Sequence, residues 1–189
     1  MRYLWLCVIC IVGSGLSACA QTTPRVDSGT QAKTKLELFQ ARTGVVIIRG
    51  FSRIGTIEGQ YGSASVESKE FADASSGKKE YGITIEVVSA GDLKRDNTSY
   101  VDYDEIESLL KGIDYISKIQ GSITKLADFQ ADYRTKGDLE ISTFSMRGKT
   151  MAAVSSGSIG QAGAYFELSK LAELRDLIVK AKGTLDSIK

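Results

Sequence analysis

Apolar residues recur at intervals of three and four in two segments of the chain. In the first segment they are Ile106, Leu109, Leu110, Ile113 and Ile116. In the second they are Leu171, Leu174, Leu177, Ile178, Ala181 and Leu185. This spacing places the side chains on one stripe of a helix, so we expect two amphipathic helices that each pack against a sheet. Asp102, followed three positions later by Glu105, predicts a capping box at the start of the first helix, and Ser169 can cap the second.

The remaining segments are rich in Val, Ile, Tyr and Phe and are separated by glycine or charged turns, a pattern typical of strands. Before the first helix, the predicted strands span residues 36–43, 44–53, 64–71, 81–88 and 99–101. Before the second helix, they span residues 126–133, 139–146, 150–155 and 163–167. We therefore predict an α+β fold with one curved antiparallel sheet. The sheet would come from two strand-rich halves, each ending in an amphipathic helix.

The two halves share a short sequence match and an order of elements. Phe39-Gln40-Ala41 is matched by Phe129-Gln130-Ala131, as a duplication of a ββββα unit would produce. Four or so antiparallel strands followed by a helix, twice over, resembles the Whirly proteins and the related single-stranded-DNA-binding coactivators across most of residues 36–189. The basic Whirly DNA-binding motif has no counterpart here, so the resemblance implies a fold rather than a function. Nucleic-acid binding would require a basic face that includes some of Lys33, Lys35, Arg42, Arg49 and Arg53.

The chain begins with the three parts of a signal peptide. Arg2 supplies a positive charge, Tyr3 to Val12 form an apolar stretch, and the small residues Gly13-Ser14-Gly15 follow. A membrane-spanning helix needs about 20 apolar residues, so this stretch is too short to remain as a permanent span. We expect residues 1–18 to be removed.

The next four residues, Leu16-Ser17-Ala18-Cys19, resemble the lipobox of bacterial lipoproteins. The resemblance implies that a signal peptidase recognises Leu16, Ser17 and Ala18, and that Cys19 receives a diacylglyceryl group and, in diderm bacteria, usually a further acyl chain. Two or more chains hold a protein stably on a membrane. Ala20, in place of an aspartate, favours the outer membrane, and we expect the periplasmic face. The alternative is an ordinary secretory signal with a chance cysteine.

Residues 20–34 are polar, contain the only proline and lack apolar periodicity, as expected of a flexible tether. We therefore divide the mature chain into a lipidated tether, residues 19–35, and a single domain, residues 36–189, with halves 36–120 and 121–189. All three cysteines lie at or before Cys19, so the domain cannot contain a disulfide. A domain of about 150 residues can bury a sufficient core without one.

Charge and composition exclude several functions. The chain has 24 Lys and Arg against 23 Asp and Glu, and removing the leader takes away Arg2 alone, which leaves 23 against 23. A neutral domain has no electrostatic attraction for nucleic acid, which we do not expect as a partner. The absence of histidine from the sequence excludes Ser-His and Cys-His catalytic pairs and histidine metal sites. We expect no cofactor and no metal.

The densest polar cluster contains the ligand candidates Tyr100, Asp102, Tyr103, Asp104 and Glu105. Its carboxylates could form an acid and base pair or a calcium site. However, acids in the first turn of a helix also bind its free amides and complement its dipole without any chemistry. The cluster lacks the spaced acids and turn glycine of an EF-hand loop, so capping is the favoured interpretation.

Three other motifs are interpreted as turns. Arg147-Gly148-Lys149-Thr150 ends like a phosphate-binding loop but lacks the first glycine, and it lies between two strand patterns, which predicts a hairpin. Residues 155–163 are glycine-rich and open no helix, so they predict a hairpin loop. The Ser-x-x-Lys spacings within residues 75–79 lie in a polar stretch that predicts a solvated turn.

Together these patterns favour a membrane-anchored envelope lipoprotein whose domain is a non-enzymatic binding or structural module. Its partners would be membrane lipid, through acylated Cys19, and an envelope protein or another envelope component. A binding module predicts exposed apolar or aromatic residues on the sheet. One alternative is a carboxylate-dependent hydrolase of envelope glycans, which predicts a cleft with two acids about 5 to 9.5 Å apart. Nucleic-acid binding by fold analogy is the second alternative.

Overall fold

A computed structural model of the chain describes residues 33–91, 94–119 and 121–189. The predictions that concern the signal peptide, the lipobox at Leu16, Ser17, Ala18 and Cys19, and most of the tether lie outside these residues. They stay predictions. None of the helices in the described ranges is both long and apolar enough to cross a bilayer.

The described residues form three α-helices and eight strands. The first half contains α1 (Lys35–Gln40), β1 (Ile47–Gly59), β2 (Gly62–Asp73), β3 (Lys79–Ser89), β4 (Arg95–Asp102) and α2 (Ile106–Ile116). The second half contains β5 (Gln130–Arg134), β6 (Leu139–Met146), β7 (Lys149–Ser156), β8 (Ala162–Glu167) and α3 (Lys170–Asp186). Short 3₁₀ turns at Tyr103–Glu105 and Gly121–Ile123 lie on either side of α2.

The strands form two antiparallel sheets. The first sheet has the order β1-β2-β3-β4 and the second has the order β5-β6-β7-β8. The predicted α+β class, with two strand-rich halves that each end in a helix, is confirmed. The structure differs from the prediction in having two four-stranded sheets instead of one. The physical reason is that β4 and β5 form no ladder, and the halves instead share a core of buried side chains.

The first predicted strand, residues 36–43, is wrong, because this segment contains the helix α1. A capping box starts the helix: the Glu37 amide donates to Thr34 Oγ1 at 3.1 Å, and the Thr34 amide donates to Glu37 Oε2 at 2.8 Å. Leu36 and Phe39, three positions apart, are buried. The Thr-x-x-Glu spacing is itself a helix signal that the strand interpretation overlooked.

Opposite faces of the first sheet contact different helices. On β2, the side chains of Ala64 and Val66 enter the main core, and the hydroxyl of Ser68 donates to the carbonyl of Ala181 in α3 at 3.0 Å. Phe71 has the opposite parity along the strand and packs with Leu36 of α1. We call the side of α3 the inner face and the side of α1 the outer face.

Both predicted amphipathic helices are confirmed. The buried residues of α2 are the five apolar positions expected from its periodicity, and those of α3 are five of the six, with Leu177 half-buried. The predicted caps are wrong, because neither Asp102 nor Ser169 makes a side-chain bond to the first turn of its own helix. Asp102 has a different partner, described below.

The turn predictions are confirmed. Arg147 and Gly148, with φ of 51° and 76°, form the two-residue hairpin between β6 and β7, where glycine tolerates the left-handed conformation. The glycine-rich loop joins β7 to β8, and the Ser-x-x-Lys stretch joins β2 to β3. The matched tripeptides occupy different elements, since Phe39-Gln40 lies in α1 and Gln130-Ala131 lies in β5. Their match therefore does not support a duplication.

Candidate functional site

Asp102, the first acid of the predicted cluster, holds the start of α1 in place. Its side chain is buried, and its two carboxylate oxygens accept the backbone amides of Lys35 at 2.9 Å and Leu36 at 3.1 Å. These are free amides at the amino-terminal end of a helix, which a carboxylate satisfies well. The residue is a cap, as the favoured interpretation expects, but for a helix 66 residues earlier in the chain.

The next two acids bind different segments. Asp104 Oδ2 lies 2.8 Å from Lys35 Nζ, and this hydrogen-bonded ion pair lowers the pKa of the Asp104 carboxyl. Glu105 Oε1 accepts the backbone amide of Lys136, in the turn between β5 and β6, at 2.9 Å. The acids of the cluster thus connect α1, the start of α2 and the second half.

The two tyrosines of the cluster also have structural contacts. The Tyr100 ring lies 6.5 Å from that of Phe71, and its hydroxyl donates to the side-chain oxygen of Gln40. The Tyr103 hydroxyl donates to Asp186 near the end of α3, which raises the pKa of the tyrosine. The ammonium of Lys189 lies 3.7 Å from the centre of the Tyr103 ring.

The five candidates are therefore close in sequence but do not converge on a shared cavity. None of them lines the grooves described below. Within the described part of the chain, no group of three or more His, Cys, Asp or Glu residues could hold a metal ion.

Among the described residues, every carboxyl group with a shifted pKa has that pKa lowered. These groups are Glu67, Asp73, Asp104, Asp114 and Asp186. In each case hydrogen bonds stabilise the charged form, chiefly from Lys69 to Glu67 and from Ser75 to Asp73. A general acid must hold its proton at neutral pH, which requires a raised pKa. These carboxyl groups are unsuited to donate a proton to a leaving group.

The most exposed apolar surface of the first sheet lies on β1. Val46, Ile48 and Phe51 expose 69%, 58% and 67% of their surface. All residues from 48 to 53 are exposed, on both faces of the sheet. A β-bulge between Arg53 and Gly55 ends this segment, and beyond it Ile57 is buried in the core. We call residues 46–53 the β1 edge.

The backbone of the β1 edge has free hydrogen-bonding groups. β1 is the first strand of its sheet, and no strand in the described residues pairs with its other side. The carbonyl of Val46 accepts the amide of Ala74, which follows β2, at 3.0 Å. Because antiparallel ladders alternate, the amides and carbonyls of Ile47, Arg49, Phe51 and Arg53 point away from β2. Such a row of unpaired groups is a template for strand addition.

The side chains beside these groups lie on the outer face and are apolar or basic. Arg49 lies 5.9 Å from the centre of the Phe71 ring, and the ammonium of Lys69 lies 4.9 Å from that of Phe51. Arg53 Nε lies 3.1 Å from Glu67 Oε1. Three cations against one carboxylate make the local charge positive, while aromatic faces hold two of the cations.

Several grooves lie elsewhere on the described surface, including one beside α2 and one on the first sheet. One, of about 660 Å³, adjoins the end of α2 and contains the exposed residues Tyr115 and Ile123. The other, of about 280 Å³, lies along the first sheet between Glu67 and Glu86. Neither encloses a reactive constellation, since Glu67 is engaged by Lys69 and Arg53.

Comparison with known proteins gives no assignment. Scans against protein-family models, curated proteins and solved structures found no match to this chain. The Whirly resemblance stays a prediction from element order. The sequence predicts a strand at residues 44–53 but does not identify it as an edge, because strand order is not encoded locally.

Proposed function

We propose that this protein is an outer-membrane lipoprotein, anchored through acylated Cys19, whose domain is a non-enzymatic module that binds another protein chain. The observation that carries the proposal is the β1 edge, where unpaired backbone groups lie beside exposed Val46, Ile48 and Phe51. No other strand of the described residues covers this edge, and its exposed side chains are apolar or basic. An uncovered edge favours binding by strand addition, in which the backbone supplies affinity and the side chains supply specificity.

The anchor would hold the domain close to the membrane. A flexible tether of about 15 residues has a root-mean-square reach of roughly 20 Å. The tether would leave the domain at Lys33, whose ammonium forms an ion pair with Asp138 at 2.6 Å. The periplasmic face is the location we propose for the domain.

Binding is better supported than glycan hydrolysis. The hydrolase alternative needs one acid that keeps its proton and a second, ionised acid across a cleft. Asp102 and Glu105 instead accept backbone amides, and the hydrogen bond from Lys69 lowers the pKa of Glu67 in the groove on the first sheet. Neither place offers the required pair.

Binding to a protein is also better supported than binding to nucleic acid. Four of the five cations that a basic face would need form ion pairs with carboxylates: Lys33, Lys35, Arg42 and Arg53. Paired cations contribute little to phosphate binding, because their counter-charges are already supplied by the protein.

The test uses the full chain expressed in a diderm bacterium, with a photo-reactive phenylalanine analogue at position 51. We expect the mature chain to start at Cys19, to carry added acyl mass and to fractionate with the outer membrane. The Cys19→Ala variant should lose the acyl mass and the membrane location, whereas Cys10→Ala, in the removed leader, should behave like wild type. An unlipidated, soluble wild-type chain would contradict the anchor.

Illumination of the same membranes tests the binding surface. We expect protein adducts from position 51 and none from the same photo-reactive residue at position 86, an exposed site on β3 in the middle of the same sheet. Equal yields at the two positions, or no adduct at position 51, would contradict binding through the β1 edge.

A further inference from the structure

We infer that the chain bound by the β1 edge is a second copy of this protein, paired with antiparallel β1 strands about a two-fold axis at Gly50. The inference rests on the proposed function, because it names the partner of the same surface. The two first sheets would join into one eight-stranded sheet, since each contributes four strands.

The length of the uninterrupted part of β1 determines this register. The uninterrupted part of β1 extends from its first residue, Ile47, to Arg53, where the bulge begins. Its midpoint is Gly50, so an axis at this residue pairs all seven positions with their counterparts. An axis at any other residue leaves part of the segment without a partner.

This register places each arginine opposite an uncharged residue of the second copy, Arg49 opposite Phe51 and Arg53 opposite Ile47. Arg49 lies beside Phe51 of the second copy, on both sides of the axis, which allows two cation-π contacts. Gly50 faces itself at a position where antiparallel strands approach most closely, and no side chains collide there. An axis at Arg49 or at Phe51 would instead place arginines opposite arginines: Arg49 opposite itself, or Arg49 opposite Arg53. Like charges directly opposite destabilise a strand pair.

The symmetry also suits two anchors in one bilayer. A two-fold axis between antiparallel strands of a continuous sheet is perpendicular to the sheet, so the outer faces of both copies lie on the same side. Helix α1 packs on the outer face through Leu36 and Phe71, whereas α3 lies on the inner face at Ser68. Both tethers would therefore leave from the same side of the dimer.

Anchoring compensates for the small size of the contact. A stable interface in solution typically buries about 1,600 Å², more than one short strand pair supplies. Anchoring both copies in one membrane raises their local concentration, which favours a weak association. We therefore expect the dimer at the membrane and dissociation on dilution in detergent.

Engineered cysteines can test the register. In the lipidated chain, Cys7 and Cys10 are removed and Cys19 is acylated, so an introduced thiol has no competitor. A Cβ at Gly50 meets only Glu70, at an ordinary 3.7 Å, so Gly50→Cys fits the fold. Membranes of cells that express the full-length variants are oxidised with copper phenanthroline and examined on non-reducing gels.

We expect disulfide-linked dimers from Gly50→Cys and from the double variant Ile48→Cys with Ser52→Cys, because positions 48 and 52 face each other across the axis. Ser52→Cys alone is the matched control, and it should not form dimers, since its counterpart lies four residues away along the strand. Adding Phe51→Lys to Gly50→Cys places a lysine beside Arg49 and should lower the dimer yield about tenfold. Unchanged melting of the Phe51→Lys domain would exclude misfolding as the cause.

Dimers from Ser52→Cys in the same yield as from Gly50→Cys would overturn the inference, because they would report random collisions. No dimer from Gly50→Cys, together with adducts from a photo-reactive residue at position 51, would overturn the second copy as partner but leave the proposed binding function intact. No dimer from Gly50→Cys and no adduct from position 51 would overturn both the second copy as partner and binding through the β1 edge.

Discussion

Asp102 shows how little the role of a residue follows from its immediate neighbours. Its sequence context predicted a cap for the helix that follows it, but its carboxylate accepts the amides of Lys35 and Leu36 in α1. The choice depends on β4 lying beside α1, which local sequence does not specify. Asp104, two positions later, is exposed and paired with Lys35. Two similar acids in one cluster therefore have different energetic importance.

We predict that Asp102→Ala lowers the free energy of unfolding by about 1 to 3 kcal/mol, because two helix amides lose their acceptor in a buried position. Asp104→Ala should change it by less than about 0.5 kcal/mol, as is usual for an exposed ion pair. Urea unfolding of residues 33–189 measures both. Similar losses from the two variants would show that the cluster does not act through the cap.

At the scale of elements, hydrophobic periodicity predicted the secondary structure better than residue type did. It placed α2 and α3 correctly, and it placed β6 at residues 139–146, where the strand lies. It failed for α1, whose six residues are too few to show a period and whose Leu and Phe content resembles that of a strand. The sequence also does not show which helical glycines are packed against a neighbour. Gly112 lies against the Tyr133 ring, whereas Gly183 has open space around it, and both occur within helices.

We predict opposite effects of alanine at these two glycines. Gly183→Ala should stabilise the domain by up to about 1 kcal/mol, since alanine is the better helix former. Gly112→Ala should destabilise it by about 1 to 3 kcal/mol, because its Cβ would overlap the Tyr133 ring and force α2 away from β5. Thermal melting of the two variants beside the wild type measures both, and stabilisation by Gly112→Ala would contradict the packing of α2 on β5.

At the scale of the whole molecule, two separate sheets share one core. The main cluster contains Ile83 and Val87 of the first sheet together with Val154 and Phe166 of the second. The hydroxyls of Ser99 and Ser156, both buried, lie 2.7 Å apart across the two halves. Neither half can bury its apolar face alone, and a sheet with one solvated apolar face is not stable.

We therefore predict that residues 33–189 unfold in a single transition, with equal calorimetric and van't Hoff enthalpies. The separate halves, residues 33–119 and 121–189, should show no cooperative melting on their own, because each exposes the surface that the other covers. Differential scanning calorimetry of the three chains provides the measurement. Two transitions in the full domain, or a folded isolated half, would indicate independent cores.

The candidate site was predictable only in part. The strand at residues 44–53 and its content of Val, Ile and Phe were visible in the sequence, as were the acids at residues 102–105. Their roles were not, because an edge strand and a central strand have similar compositions, and an acid caps whichever helix end lies next to it. The relevant partners, such as Lys136 for Glu105, are 31 or more residues away along the chain.

The sequence by itself determined the elements whose signals are local: two amphipathic helices, most strands and the glycine turns. These depend on residues within a few positions of one another, where spacing and backbone preference act directly. Only the tertiary structure decided that the strands form two sheets, that β1 lies at an edge and that Asp102 caps α1. Those outcomes depend on which distant segments become neighbours, and that is settled by burying one shared core between the halves.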